Sequence, residues 1–193
     1  MRTIIMLVMN ASVLDLNKSV VLAVDLQPRF LSAIHQAERV VRRSGALLGI
    51  ARILGAPVIA TVQYSEKMGG FAPELADLLE TEPIDKLRFS CSGCAQVDAG
   101  LAHIGRRQVV LVGIETHICV TQTALDLLGK GFEVFVCADA VGARTEDRHQ
   151  IGLGRLRDAG VAILHSESAA YEWMRSADHP EFRNVLPLIK SSA

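Results

Sequence analysis

No stretch of this 193-residue chain is long enough in apolar residues to cross a bilayer, which takes about 20 in succession. Neither sign of charge dominates: 20 lysines and arginines stand against 21 aspartates and glutamates, a formal net charge of -1, and the two signs are interspersed. That leaves no electrostatic footprint for nucleic acid or for an anionic membrane surface. Small-molecule chemistry becomes the default class, with a small-molecule substrate as the expected partner.

Cysteine is scarce and weakly patterned. Of the four, Cys91 and Cys94 form one C-x-x-C with no second pair at zinc spacing, and Cys137 lies in a predicted strand. Neither a disulfide framework nor a zinc finger is indicated, and a redox or metal role for Cys91 and Cys94 stays open as the minor reading. This usage suits the cytoplasm. Only the start imitates a targeting signal, with Arg2 followed by the apolar run Ile4 to Met9 and then Asn10-Ala11-Ser12. The run is short even for a signal peptide. Met1 to Asn17 therefore reads as an extension, loose or pairing at a sheet edge, ahead of a single domain over residues 18–193.

What the chain does have is core. Hydrophobic residues make up 50% and charged residues 21%, enough to bury one good core, and no repeat or linker divides it. Apolar strands are predicted at Ser19 to Asp25, Pro57 to Val62, Pro83 to Lys86, Gln108 to Gly113, Phe132 to Ala138 and Val161 to His165. Helical spacing is predicted at Ser32 to Leu54, Glu74 to Leu79, Cys94 to Ile104, Val120 to Leu128 and Glu146 to Asp158, with a glycine-containing loop over Gln63 to Pro73. Strands alternating with helices throughout mean a parallel sheet covered on both faces by right-handed crossovers. The expected fold is a three-layer, doubly wound α/β domain, Rossmann-like, with six parallel strands, and the order weighed for it is 3-2-1-4-5-6.

Such a sheet places a site outside the carboxyl ends of its strands, at the switch point where the order reverses. Three reactive side chains fall at such ends: Asp25 closes the first strand, Lys86 the third, and Cys119 follows the fourth. In this strand order Asp25 and Cys119 become neighbours and Lys86 reaches in from the third strand. Cys119 would sit in the first helical turn, where free amide donors and the helix dipole favour a thiolate. Each residue also has an ordinary reading. Asp25 would cap a helix, Lys86 would be an exposed strand-end lysine, and Cys119 would be a small buried hydrophobe.

The segments Asp25-Leu26-Gln27-Pro28-Arg29-Phe30, Lys86-Leu87-Arg88-Phe89-Ser90 and Gly113 to Cys119, continued by Val120-Thr121-Gln122-Thr123-Ala124, resemble the signature segments of the isochorismatase-like cysteine hydrolase superfamily. The resemblance spans about Ser19 to Lys190. It is nearest to the isochorismatase domain-containing proteins of unassigned substrate, through Gln63-Tyr64-Ser65-Glu66-Lys67-Met68-Gly69, Ser166-Glu167 and Asp178-His179-Pro180-Glu181-Phe182. It implies Cys119 as nucleophile, Asp25 as the group that takes and returns its proton, and Lys86 as the cation that holds the pair in its reactive state. It further implies a cis peptide between Ile114 and Glu115, with the amides of Glu115 and Cys119 facing a developing oxyanion. Phe30 matches an aromatic that lines the substrate pocket, and Gln27, Gln63 and Tyr64 are further candidates for that lining.

Departures from the family narrow the chemistry. Nicotinamidases of this superfamily bind a metal through an Asp-x-His and a further histidine after the second strand, whereas this chain has Gln63, Tyr64, Ser65 and Glu66 there. Neither a metal nor another cofactor is expected, and nicotinamide is disfavoured. True isochorismatases cleave a vinyl ether and commonly lack the cysteine, so Cys119 points to an amide, carbamoyl or related substrate. The alternatives are a vinyl-ether hydrolase and a catalytically idle scaffold or interaction protein, since a fold does not guarantee activity. His117 is a turn-capping residue on this reading, not the base. The positive mean hydropathy of +0.29, with the apolar tail Val185-Leu186-Pro187-Leu188-Ile189 and the run Ile4 to Met9, leads to the expectation of a homodimer or larger homo-oligomer.

Overall fold

The computed structural model describes residues 13–191. Six strands form one sheet: β1 (Ser19–Val24), β2 (Val58–Gln63), β3 (Ile84–Lys86), β4 (Gln108–Ile114), β5 (Glu133–Gly142) and β6 (Ala162–Leu164). Their order is β3-β2-β1-β4-β5-β6 and every neighbouring pair is parallel. The switch point therefore lies between β1 and β4.

Alternation along β1 sorts its side chains between two cores. Val21 and Ala23 join Leu47 and Leu48 of α2 (Ala37–Leu54), Trp173 of α8 (Ser166–Met174) and Val185 of α9 (Phe182–Ser191). Val20, Leu22 and Val24 join Val97 of α5 (Ala95–Ile104), Leu127 of α6 (Thr121–Gly129) and Leu153 of α7 (Glu146–Asp158). All six residues of β1 are buried, as a central strand covered on both faces requires. Where β1 and β4 end together, Gly113 has φ 113°, and a Cβ there would stand 2.1 Å from the carbonyl oxygen of Val24. Only glycine permits so close an approach at the switch point.

Several boundaries differ from the sequence reading. The long helix starts at Ala37 instead of Ser32, because Gln36 takes a left-handed conformation that separates it from a short turn, α1 (Pro28–Leu31). The loop after β2 contains the short α3 (Ser65–Met68), and the next helix is the single turn α4 (Pro73–Ala76). The helices α8 and α9 had no counterpart in the sequence reading. Within α9, Val185 and Ile189 are buried and Leu188 packs where a Cβ on Gly49 would be 3.1 Å away. The apolar tail thus serves the intrachain core and is not free for an interface.

The extension expected over Met1 to Asn17 is also shorter than it reads. Leu14 is fully buried, its amide donates to Glu172 Oε2 at 2.7 Å, and its carbonyl accepts from Arg175 Nη2 at 2.7 Å. Asp15 donates its amide to Gln108 Oε1 at 2.8 Å. Residues 13–17 belong to the domain, whereas Ile4 to Met9 lie outside the described residues.

Candidate active site

Asp25 directly follows β1, and its φ of 51° is a left-handed conformation that aspartate tolerates better than most residues. The turn aims its carboxylate back into the protein. Oδ1 accepts from the Thr61 hydroxyl at 2.8 Å and Oδ2 accepts from Lys86 Nζ at 2.7 Å. Asp25 does not cap a helix, since Gln27 occupies that position in α1 without a side-chain cap bond. Lys86 is not an exposed strand end either: the side chains of Lys86 and Asp25 are 1% and 3% exposed. Its ammonium also donates to Gln63 Oε1 at 2.7 Å and to the carbonyls of Arg88 and Phe89 at 3.1 and 3.2 Å. Four acceptors for three hydrogens leave this cation no free valence.

Cys119 lies in a π-helical turn, Thr116–Val120, inserted between β4 and α6. Such one-turn expansions shift the side chains that follow and recur at functional sites. The turn is braced from two sides. The Thr121 hydroxyl donates to the carbonyl of Thr116 at 2.6 Å, and Thr116 Oγ1 lies 2.9 Å from His149 Nδ1 of α7. At Gly152 a Cβ would be 3.1 Å from His117 Cα, so the glycine lets α7 press against the turn.

The electrostatics differ from the sequence expectation. Cys119 is 8% exposed, and its thiol is pushed up to about 12, first by burial and then by the neighbouring Asp25 charge, with Lys86 pulling the other way. The resting group is a thiol, not the thiolate that a helix N-terminus would favour. Cys91 is buried beside the same cluster, 3.6 Å from the Thr61 hydroxyl, with its thiol pushed up to about 11 mainly by burial. Its C-x-x-C partner Cys94 is half-buried, and among the described residues no group of three or more His, Cys, Asp or Glu side chains is arranged to hold a metal ion.

A pocket enclosing about 80 Å³ is lined by Asp25, Phe30, Gln63, Phe89, Ile114, Glu115, Ile118 and Cys119. The peptide between Ile114 and Glu115 is cis. The Glu115 carboxylate is held from outside by Arg144 Nε at 3.0 Å. Two of the expected lining residues are elsewhere. Gln27 is fully buried, donating from Nε2 to the carbonyls of Gln63 and Gly69 at 3.1 and 2.7 Å and accepting from the Gln63 amide at 2.6 Å. It clamps the loop after β2. Tyr64 turns away, its ring under the Lys67 ammonium at 5.1 Å from the centroid. His117 stands outside the lining too, and its buried Nδ1 has no hydrogen-bond partner among the described residues, so it does not cap the turn.

Thr61, Phe89 and Ile118 escaped the sequence reading. Thr61 was legible in principle, because it lies two residues before Gln63 and so on the same strand face.

Fold and site together define a doubly wound, parallel α/β domain with a cysteine at the switch point. The chain belongs to the isochorismatase family: the isochorismatase domain matches residues 19–168. Isochorismatase domain-containing protein 1 of Danio rerio is 40% identical over 177 residues, covering 91% of this chain, and the chain spans only 62% of that relative's length. Among solved structures, the MAR1 ribonuclease of Caenorhabditis elegans superposes with a TM-score of 0.89 at 35% identity over 94% of each chain. YcaC from Pseudomonas aeruginosa, solved with hexane-2,5-diol and covalent acrylamide, gives 0.84 at 26% identity over 94% of this chain and 97% of its own. YcaC from Escherichia coli, described as an octameric hydrolase of unknown specificity, gives 0.81 at 25% identity over 93% and 97%.

Proposed function

We propose that this chain is a cysteine-dependent hydrolase of a small amide, carbamoyl or related C–N substrate, working through a thioester. The reading is carried by one observation: Asp25, held in a buried pair with Lys86, lines the same pocket as Cys119. Asp25 takes the thiol proton as sulfur attacks the substrate carbonyl carbon, forming the C–S bond. The amides of Glu115 and Cys119 stabilise the resulting oxyanion, an assignment that rests on the family resemblance and is supported by the place of both residues in the pocket lining. Collapse breaks the C–N bond, and the leaving amine takes the proton from Asp25. Water then adds to the thioester as Asp25 removes its proton, and the departing sulfur recovers that proton as the acid leaves. Lys86 keeps Asp25 in place throughout.

The raised thiol makes the base indispensable, since little thiolate exists before attack. A covalent acrylamide on a relative supports a nucleophile in that protein, and by likeness in this chain. The ribonuclease activity named for the nematode relative draws less support here, because a net charge of -1 offers a phosphate backbone little attraction. Gln63 closes β2, at the start of the stretch where metal-binding members of the family use acidic and histidine ligands, and its side chain is committed to Lys86 and to the carbonyl of Leu87. Activity therefore needs no metal, and dialysis against a strong chelator should leave it unchanged. No helix of the described residues is long and apolar enough to cross a membrane. Four free cysteines support a reducing compartment such as the cytoplasm. A homo-oligomer is supported by the octameric relative and by the exposed Leu87 and Phe89, the second of which lines the pocket.

The test is a panel of small amides and carbamoyl compounds assayed for released ammonia. At least one should be turned over by the native chain and by none of its Cys119→Ala preparations. Wild-type turnover by Cys119→Ala would remove covalent catalysis, and silence across the whole panel would favour the idle scaffold.

A further inference from the structure

We infer that the pocket selects short, uncharged acyl groups with apolar surface and turns anionic substrates away, which deepens and rests on the hydrolase reading. The charged side chains in the lining are Asp25 and Glu115, and both are acidic. The nearest cation, Lys86, offers a substrate nothing. It is 1% exposed and its hydrogens are directed to Asp25, Gln63 and the carbonyls of Arg88 and Phe89. Arg144 grips Glu115 at 3.0 Å but is not part of the lining, and among the described residues no lysine, arginine or histidine is.

The remaining walls are Phe30, Phe89, Ile114 and Ile118, with the amide of Gln63 between them. A carboxylate brought here would lose its water without gaining a cationic partner, because Lys86 and Arg144 are already paired with Asp25 and Glu115. An alkyl group would lose only water it is better without. The space limits its length. The pocket is open at its mouth, and its volume of about 80 Å³ is close to half that of an apolar cavity that holds one benzene ring, roughly 150 Å³. A small aliphatic amide fits this description, and an acidic amide or a carboxylated carbamoyl compound does not.

Three alkylating probes of one chemistry separate these cases on the intact native chain at neutral pH: anionic iodoacetate, neutral iodoacetamide, and neutral N-propyl iodoacetamide. Each rate at Cys119, followed by peptide mass mapping, is divided by the same probe's rate with free glutathione, so that intrinsic reactivity cancels. Iodoacetamide should exceed iodoacetate by at least about tenfold, as the desolvation of a carboxylate with no free cation to meet it implies, and the propyl derivative should match or exceed iodoacetamide. Iodoacetate reacting as fast as iodoacetamide would overturn the selection while leaving the cysteine hydrolase intact. A propyl probe slower than iodoacetamide would overturn the apolar preference. If none of the three modifies Cys119 in the folded chain, the hydrolase reading itself falls, and the inference with it.

Discussion

Lys86 Nζ sits 2.7 Å from Asp25 Oδ2 with both side chains almost wholly shut away from water. Such a pair gains little over an apolar replacement of both members, but removing one member strands the other charge. Lys86→Met should therefore lower unfolding stability by about 3–5 kcal/mol as well as abolish turnover. Lys86→Arg should restore neither, because a planar guanidinium cannot meet four acceptors arranged around a point charge. A urea midpoint for Lys86→Met equal to that of the native chain would show that the pair is not buried as described.

Cys119→Ala and Asp25→Asn should each cost several powers of ten in turnover on any substrate found. The double variant should be no worse than the poorer single one, since nucleophile and proton acceptor act as a unit. Additive losses in single-turnover kinetics would assign the two residues to separate steps.

Alkali should loosen the fold through its buried thiols. Cys119 and Cys91 are raised to about 12 and about 11 from an ordinary value of 9.0. The unfolded chain then releases protons first, so the stability these thiols contribute is complete below about pH 9 and drains away as pH climbs toward the folded values. Urea midpoints at neutral pH and near pH 10 should show a smaller alkaline loss in Cys119→Ala than in the native chain. An equal loss in both would mean that Cys119 ionises in the folded protein as easily as in the unfolded one.

The parallel sheet and the strand-end places of Asp25, Lys86 and Cys119 were legible because they follow from the period of the apolar pattern, whereas the strand order that brings them together had to be assumed from the common doubly wound arrangement. Residues seen only through their partners were not. Gln27 beside Asp25 reads as a pocket residue until the carbonyls of Gln63 and Gly69 are seen to claim its amide. Thr61 reads as one more β-branched strand residue until its hydroxyl is found on Asp25. The state of Cys119 was misjudged because helix position is visible in sequence, while the desolvation that outweighs it depends on three-dimensional neighbours. Helix α9 was read as surplus apolar surface, since nothing local in Val185 to Ile189 says that α2 lies beneath it.

That correction changes what truncation should do. Removing residues 181–193 takes Val185 and Ile189 from the core and bares the face of α2 they cover. The truncated chain should melt earlier and tend to aggregate, whatever its assembly. For the full chain, light scattering coupled to size exclusion should return a mass at least twice 20.9 kDa. A monomer mass would count against the oligomer, and an unchanged melting temperature after truncation would count against the docking of α9.

The full coordination of the Lys86 ammonium has one more consequence, for the cost of moving a proton within a dry site. With Cys119 a neutral thiol, carboxylate, ammonium and thiol sum to zero charge. In the proposed reaction the proton passes from sulfur to Asp25, and thiolate, carboxylic acid and ammonium again sum to zero. What changes is the direction of a local dipole, pivoting about an ammonium that its acceptors hold still. A site of low polarity resists the creation of net charge far more than the turning of a dipole it already contains. The cluster can thus stay buried and still pass a proton back and forth, because its fixed cation balances the anion at either end of the transfer.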